Sequence, residues 1–512
     1  MPAVEQVILK FDGVAAPSAG SYTFSWAALF LAVPMLIFPL GFLRWELAVP
    51  LVTLTLTALA KVGLPSIPRP SKRLLVALGF SAVILLLMGF PSGPYAWDWI
   101  KHWAILDTLI VNDWHEAISV NGRPAFLRFY VGAYLAPALA AKALGVSALW
   151  PTLLWFGAGV ALIAGCLTET LIDRKLHRPI VLLALFVLMA GADAVAGNVI
   201  RHFLGMPYAD MWGIHHEGWA ATTTGPPLQY SSPLAMLLWV PHQAIATMLV
   251  TFLILLDRSP HSFARCSLAM GALSIWSPYG LIGAIPLFGI RFIEELRFAR
   301  DATHWRVVFV TSACAALFAG SVALVLSEGL PPGASLCLTC VPARIAEPWR
   351  YILFPVVELV GPLLILRGRL FRDPYALGSA LILVCLPLAA ADLADPVMRI
   401  SLGPISLLMA KSALVATNAL TSRAIGQVTL LDSIATVAAI ALVAPTAVSE
   451  AGYHIENGVR HRSFTRSDYL GAKLYGSLAP TQRIDITQFF KMCGTEWESQ
   501  YFVDRRPGLY RE

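Results

Sequence analysis

Three ionisable side chains lie close together in the stretch of residues 95–103. Asp98, Lys101 and His102 are spaced i, i+3 and i+4, so a helix would place all three on one face. A carboxylate in such a set could accept a proton from a hydroxyl group, while the neighbouring cations hold a phosphate leaving group. The spacing therefore predicts a site for acid–base chemistry on a phosphorylated substrate.

Tryptophans in the same stretch favour a second interpretation. Trp97, Trp99 and Trp103 could form part of an aromatic belt at the lipid headgroups, carried by an amphipathic helix that lies in the interface. This interpretation assigns no chemistry to the charged residues. From the residues alone both interpretations stay open.

A second polar stretch covers residues 208–233 and carries the candidate substrate-binding residues His215, His216, Glu217, Gln229 and Tyr230. Most connections are about 4–6 residues long, and long ordered loops tend to be functional. Imidazole and carboxylate groups can bind a divalent metal ion, but adjacent residues rarely chelate one ion in a regular helix. We therefore expect hydrogen bonding to substrate, with a metal site on His215 and Glu217 as the alternative.

Two further candidate binding residues lie at the edges of apolar runs. His242, with Gln243 beside it, could line a cavity at the start of one run. Arg399 follows Asp395 at the end of another, where an unpaired charge near hydrocarbon is costly. Arg399 either forms an ion pair with Asp395 or binds an anion.

Cys337 and Cys340 form a Cys-x-x-Cys motif. In an oxidising compartment such a pair can close a small disulfide loop. Redox catalysis is the alternative, but no thioredoxin-like βαβ pattern surrounds the motif. The sequence predicts a structural disulfide.

The composition is that of a membrane protein. Of the 512 residues, 57% are apolar and 13% are charged, whereas a soluble domain has about a quarter charged residues. Apolar runs long enough to cross the hydrocarbon layer recur along the chain, and they predict an all-α polytopic fold with about 11–13 transmembrane helices. The net charge of +6 comes from basic loops between these runs, so we expect membrane lipids and no nucleic acid as partners. The predicted runs are Phe24–Leu43, Glu46–Leu64, Leu74–Phe90, Phe126–Leu144, Pro151–Ile172, Pro179–Ile200, Ala235–Leu256, Ser267–Ile290, Val307–Leu326, Tyr351–Leu366, Ala376–Leu393, Leu402–Leu414 and Leu430–Ala444.

The basic loops predict the orientation of the chain, because such loops stay on the cytoplasmic side. With a cytoplasmic N-terminus, residues 1–446 form the membrane domain and a polar tail, 447–512, lies outside. The loops 92–123, 201–233 and 329–350 lie outside as well and would carry the chemistry.

Two predicted runs break the strict alternation of this topology. Phe126–Leu144 and Ser267–Ile290 would each have to enter and leave on the same face. A break is expected in the second run at Ser277-Pro278, because proline removes a helix hydrogen bond. The first run contains only Pro137.

The arrangement resembles the GT-C superfamily of membrane glycosyltransferases, with many spans and an acidic residue, Asp98, in the first large external loop. It is also similar to bacterial membrane proteins of that type in three segments. These are Trp97 to His102, Gln229 to Ser232 with Trp239, Pro241 and His242, and Val397 to Arg399. The sequence departs from the family's acidic pair, since Trp99 follows Asp98, and this departure argues against a metal site there.

The resemblance implies transfer of a sugar from a polyprenyl-phosphate donor to a glycan, lipid or protein acceptor, at the outer face of the bacterial cytoplasmic membrane. Asp98 would be the general base, and Lys101, His102 and Arg399 would stabilise the departing phosphate. The alternatives are a transporter or flippase for lipid-linked or small solutes, in which the same charges line a pathway, and a scaffold subunit without catalysis.

Overall fold

The computed structural model describes residues 22–63, 71–90, 99–114, 118–120, 123–127, 129–171, 175–203, 217, 228–259, 261–297, 301–327, 348–389, 394–421, 430–460 and 502–503. The protein is an all-α polytopic membrane protein, and this prediction from the sequence is confirmed. The helices are α1 (Tyr22–Phe42), α2 (Trp45–Val62), α3 (Lys72–Leu87), α4 (Trp99–Val111), α5 (Gly132–Leu144), α6 (Leu149–Glu169), α7 (His177–Leu188), α8 (Asp193–Phe203), α9 (Pro233–Trp239), α10 (Pro241–Leu256), α11 (Ser262–Trp276), α12 (Pro278–Arg297), α13 (Ala302–Ser327), α14 (Pro348–Leu366), α15 (Pro374–Ala389), α16 (Ala394–Thr421) and α17 (Leu430–Arg460).

Seven helical segments in the described part of the chain are long and apolar enough to cross a membrane. They are Tyr22–Phe42, Trp45–Val62, Leu149–Glu169, His177–Phe203, Ala302–Leu326, Val397–Thr421 and Ser433–Glu456. Every run predicted from the sequence contains helix, but several runs are divided into shorter helices. Proline stands at two of the divisions: Pro241 begins α10 and Pro278 begins α12. Proline lacks a backbone N–H, so a continuous helix is disfavoured at these positions.

The centre of the molecule consists of α10 and α11. Every residue of both helices is buried in the protein. A helix that is apolar on all sides is stable only where other helices surround it. Helices α1, α6, α12, α13 and α16 supply these surroundings.

Helices α11 and α12 form an antiparallel hairpin. Near its open end, Arg291 of α12 donates a hydrogen bond to Ser262 of α11, with 2.7 Å between Nη2 and Oγ. The rings of Phe263 and Phe288 stack there at 5.0 Å. At the closed end, Trp276 donates from Nε1 to the carbonyl of Leu31, midway along α1, at 3.2 Å. The predicted break at Ser277-Pro278 is therefore confirmed, and the tip of the hairpin lies at membrane depth.

The run Phe126–Leu144 is only partly helical. Residues Arg123–Leu127 form a strand, β2, that pairs with β1 (Ile118–Val120) and β3 (Phe502–Val503). Helix α5 then begins beside the hairpin tip, since a Cβ on Gly132 would lie 3.0 Å from the carbonyl oxygen of Ile275. A helix of 13 residues spans about 20 Å, which is less than the roughly 30 Å of hydrocarbon. Helix α5 therefore starts in the interior, at the hairpin tip, and runs to one face of the membrane domain.

The last helix extends beyond the boundary predicted at residue 446. Helix α17 continues through Thr446 to Arg460. Its extension is buried at Glu450 and His454, which pack inside the membrane domain. Residues 447–460 therefore belong to the helical domain, because they continue α17 and bury Glu450 and His454 against its neighbours.

Candidate active site

Several helices begin at the hairpin tip, at one depth in the membrane domain. Helix α12 begins at Pro278 and α10 at Pro241, and Ser277 joins them by donating a hydrogen bond from Oγ to Oε1 of Gln243 at 3.1 Å. Helix α5 begins at Gly132, against Trp276. Helix N-termini carry unsatisfied N–H groups and partial positive charge, so this region favours an anion.

Two buried imidazoles form the middle of the site. His102 of α4 and His242 of α10 are 0% and 2% exposed, and their ring centroids lie 4.2 Å apart. The hydroxyl of Tyr134 is 2.7 Å from Nδ1 of His102. The two imidazoles therefore lie in direct contact in the interior of the protein.

A cation closes one side of the site. Arg399 of α16 donates a hydrogen bond from Nη1 to the hydroxyl oxygen of Tyr130 at 2.6 Å. Its guanidinium lies 5.9 Å from the ring centroid of Tyr279. The same Tyr130 oxygen accepts a hydrogen bond from Nε2 of Gln243 at 2.9 Å. These contacts fix the guanidinium at the N-terminal ends of α5, α10 and α12.

The structure therefore brings together three of the predicted site residues, His102, His242 and Arg399. Lys101 lies in α4 beside His102. The predicted residues Asp98, His215 and His216, and the Cys337/Cys340 pair, lie outside the described residues. Asp98 immediately precedes α4, whose first residue is Trp99.

The tryptophans of α4 do not face lipid. Trp99 and Trp103 are 2% and 4% exposed. The ring of Trp99 packs edge-on against Phe156 of α6 at 5.7 Å and against His102 at 5.2 Å. The interpretation of these two residues as an aromatic belt is therefore wrong, because both fill the space between helices.

Glu217 and Tyr230 lie in a second polar cluster, whose contacts involve buried carboxyl groups. The backbone N–H of Tyr230 donates to Oε1 of Glu358 at 3.4 Å, and that of Ser232 donates to Oε1 of Glu217 at 2.9 Å. Glu450 in turn accepts from the N–H of Glu217 at 3.1 Å. Non-helical backbone inside a membrane protein needs such partners, and here the buried carboxylates supply them.

Other contacts hold this second cluster in place. The hydroxyl of Tyr230 donates to the carbonyl of Leu383, and Gln229 donates from Nε2 to Oγ of Ser231 at 3.0 Å. Asp193 and Glu358 approach each other at Gly191, where a Cβ would collide with both carboxylates. Within the described residues, no group of three or more His, Cys, Asp or Glu side chains has a geometry that could hold a metal ion.

Ion pairs concentrate at the opposite end of the helices, where the sequence predicts the cytoplasmic side. The buried pair Arg265–Asp257 is 2.7 Å apart, and Lys411 of α16 pairs with Asp373. Burial and the neighbouring Arg265 lower the pKa of His261, which precedes α11. This region anchors the helix ends.

The residues that sequence reasoning missed are Tyr130, Tyr134 and Ser277. Ser277 was noted only as part of a helix break, and the tyrosines lie in a run interpreted as a membrane span. Tyr130 lies two residues before Gly132, where α5 begins, and the sequence around it carries no local signal that a span does not start there. Neither a protein-family model nor a curated protein matches this chain significantly.

Proposed function

We propose that this protein is a membrane glycosyltransferase that moves a sugar from a polyprenyl-phosphate donor to an acceptor hydroxyl. The observation that supports it most directly is the cationic site at the hairpin tip, reached by the helix that follows Asp98. Arg399 and three helix N-termini are suited to bind a phosphate at membrane depth. Such a depth suits a substrate whose phosphate is attached to a lipid.

In the reaction, Asp98 takes the proton of the acceptor hydroxyl, whose oxygen forms a new bond to the anomeric carbon. The bond from that carbon to the phosphate oxygen breaks, and polyprenyl phosphate leaves with the electron pair. Attack from the side opposite the leaving group inverts the anomeric configuration. Arg399, together with Lys101, stabilises the negative charge that develops on the phosphate.

Glu217, Gln229 and Tyr230 take a supporting role in this proposal. Their contacts hold the non-helical segment before α9, and α9 leads directly to His242. The segment of His215 and His216 would complete the acceptor side. A divalent ion held by His215 and Glu217 is the alternative role for this segment, and turnover that survives exhaustive chelation would exclude it.

The site would face the outer side of a bacterial cytoplasmic membrane. This orientation follows from the basic loops, with the N-terminus in the cytoplasm and the site opening on the opposite side. A transporter of lipid-linked or small solutes is the competing function, because buried carboxylates such as Glu358 and Asp193 also occur on ion pathways.

The test measures release of polyprenyl phosphate by the purified protein, given polyprenyl-phosphate sugars and a panel of acceptors. We expect turnover by the native protein and a loss of about 10²–10⁴-fold in Asp98→Asn, since the general base is removed. Asp113→Asn is the matched control, because Asp113 is an exposed partner of Lys142. Native turnover in a well-folded Asp98→Asn protein would remove Asp98 as the base. Solute flux into vesicles without sugar transfer would establish the transporter instead.

A further inference from the structure

Gln243 makes three side-chain hydrogen bonds at the centre of the site. It donates from Nε2 to the hydroxyl oxygen of Tyr130 at 2.9 Å, and Nε2 lies 3.1 Å from Nε2 of His242. Its Oε1 accepts the hydroxyl proton of Ser277 at 3.1 Å. Gln243 is itself 0% exposed, so these bonds are shielded from bulk solvent.

The amide of Gln243 determines the protonation of His242. An amide nitrogen is only a donor, so the Nε2 of His242 that faces it must be an acceptor and carry no proton. A neutral imidazole then carries its proton on Nδ1. In this orientation of the amide, the hydroxyl of Ser277 accepts the N–H of Gly280 at 3.0 Å and donates its proton to Oε1 of Gln243 at 3.1 Å.

Aromatic rings from helices α4 and α5 and from the segment before α5 surround His242. His102 of α4 lies against its ring at 4.2 Å, and the ring of Tyr134 of α5 lies at 6.0 Å. Tyr130 stacks on it at 5.9 Å and links it to the guanidinium of Arg399 of α16. Gln243 and Tyr130 thus connect the imidazole of His242 to Arg399 through hydrogen bonds.

We infer that Gln243 is a positioning residue that holds His242 as the neutral Nδ1–H tautomer. Resting on the proposed function, this assigns His242 the role of a hydrogen-bond donor to a substrate oxygen and leaves proton abstraction to Asp98. Gln243 acts through His242 and Tyr130, and through Tyr130 it also orients Arg399.

The experiment is ¹⁵N nuclear magnetic resonance of protein labelled at histidine, reconstituted in lipid, with the His242 signals assigned by their loss in His242→Gln. We expect a protonated Nδ1 and an unprotonated Nε2 at neutral pH. In Gln243→Glu, a carboxylate faces Nε2, so Nε2 should become protonated. His242 should then take up its second proton at a higher pH than in the native protein. Gln243→Met, which keeps the volume and removes the donor, should give a mixture of tautomers.

Asn112→Asp is the matched control, because it makes the same amide-to-acid change at a residue that bonds the carbonyl of Thr108 instead of an imidazole. It should leave the His242 signals unchanged. A protonated Nε2 in the native protein would overturn the inference, and so would native-like signals in both Gln243 variants. These signals do not depend on turnover. Absence of sugar transfer with the expected tautomer would reject the proposed function, whereas the tautomer of His242 and the role of Gln243 in holding it would stand.

Discussion

At the residue scale, the site depends on how Arg399 is held. Its guanidinium bonds Tyr130 and lies over the ring of Tyr279. A guanidinium is planar and offers several donors in a fixed geometry, whereas an ammonium is a compact, strongly hydrated charge. The same positive charge on a different side chain would therefore not reproduce these contacts.

Arg399→Lys should lower kcat/KM for the polyprenyl-phosphate donor by about 10–100-fold, because a charge-assisted hydrogen bond is worth about 1.5–3 kcal/mol. Steady-state kinetics at varied donor concentration measure the effect. Arg44→Lys is the control, since Arg44 is an exposed residue that pairs with Glu46. Unchanged kinetics in both Arg399→Lys and Arg399→Gln would show that Arg399 does not contact the donor.

Spacing predicted His102, which follows Asp98 and Lys101 at helical intervals, and position at the edge of an apolar run predicted His242 and Arg399. The same reasoning could not find Tyr130 and Tyr134, since a tyrosine is common at membrane interfaces and in cores alike. Their role comes from distances to residues far along the chain, such as the 2.6 Å bond from Arg399 to Tyr130. Contacts between residues so far apart along the chain depend on the folded structure and could not be predicted from local sequence.

At the scale of the elements, the site depends on the close approach of α5 to the hairpin tip. Gly132 permits this approach, because a Cβ there would lie 3.0 Å from the carbonyl oxygen of Ile275 and from the backbone nitrogen of Trp276. These are backbone atoms, which cannot rotate out of the way as a flexible side chain can.

Gly132→Ala should destabilise the protein by about 1–3 kcal/mol, the usual cost of inserting a methyl group into a packed interior. Gly79→Ala in α3 is the matched control, since a Cβ there meets nothing within 4 Å. It should be neutral or stabilise by up to about 1 kcal/mol, because alanine is the better helix former. Thermal unfolding in detergent compares the two. Equal midpoints would contradict the close packing at the tip.

The ion pairs at the opposite end give a second prediction for the elements. Arg265 and Asp257 join the end of α10 to α11, with side chains 6% and 0% exposed. Removing one partner leaves a buried charge without compensation, so Arg265→Met should cost about 3–5 kcal/mol. The double variant Arg265→Met/Asp257→Leu should recover most of the loss. Arg44→Met, which makes the same change in the exposed pair of Arg44 and Glu46, should cost at most about 1 kcal/mol. A single variant no less stable than the double would contradict this account.

The elements themselves were predictable to different degrees. Long apolar runs predicted each of the seven membrane-spanning segments found in the described residues, since a helix satisfies its own backbone in lipid. Proline predicted the break at Ser277-Pro278. The short helix α5 had no comparable signal, because its apolar composition is that of a span and only its contact with the hairpin tip, at Gly132 and Trp276, shows where it begins. The end of α17 was missed because its polar residues, such as Glu450, bond to a buried segment.

At the scale of the whole molecule, the described helices place the site and the ion pairs at different depths. The site lies at the tip of the α11–α12 hairpin, and the ion pairs lie at its open end. The basic loops predict that the open end is cytoplasmic. Under the proposed function, the orientation of the molecule therefore decides which compartment supplies the acceptor.

Single cysteines, introduced after removal of the native ones, test this orientation with a membrane-impermeant maleimide in intact cells. Cysteines at Glu46 and Lys142 should react, since both side chains are exposed at the end that we assign to the outside. Cysteines at Arg369 and Lys175, in basic loops, should react only after the membrane is opened. The reverse pattern would invert the orientation and the compartment of the reaction.

The most direct test of the proposed function is to locate the lipid phosphate. A polyprenyl phosphate with a diazirine in the isoprenoid unit next to the phosphate would be photolysed with the reconstituted protein, and the labelled peptides identified by mass spectrometry. We expect labelling near Tyr130, Pro278 and Arg399, competed by unmodified polyprenyl phosphate and reduced in Arg399→Gln. Labelling confined to lipid-facing helices such as α3, without competition, would contradict a phosphate site at the hairpin tip.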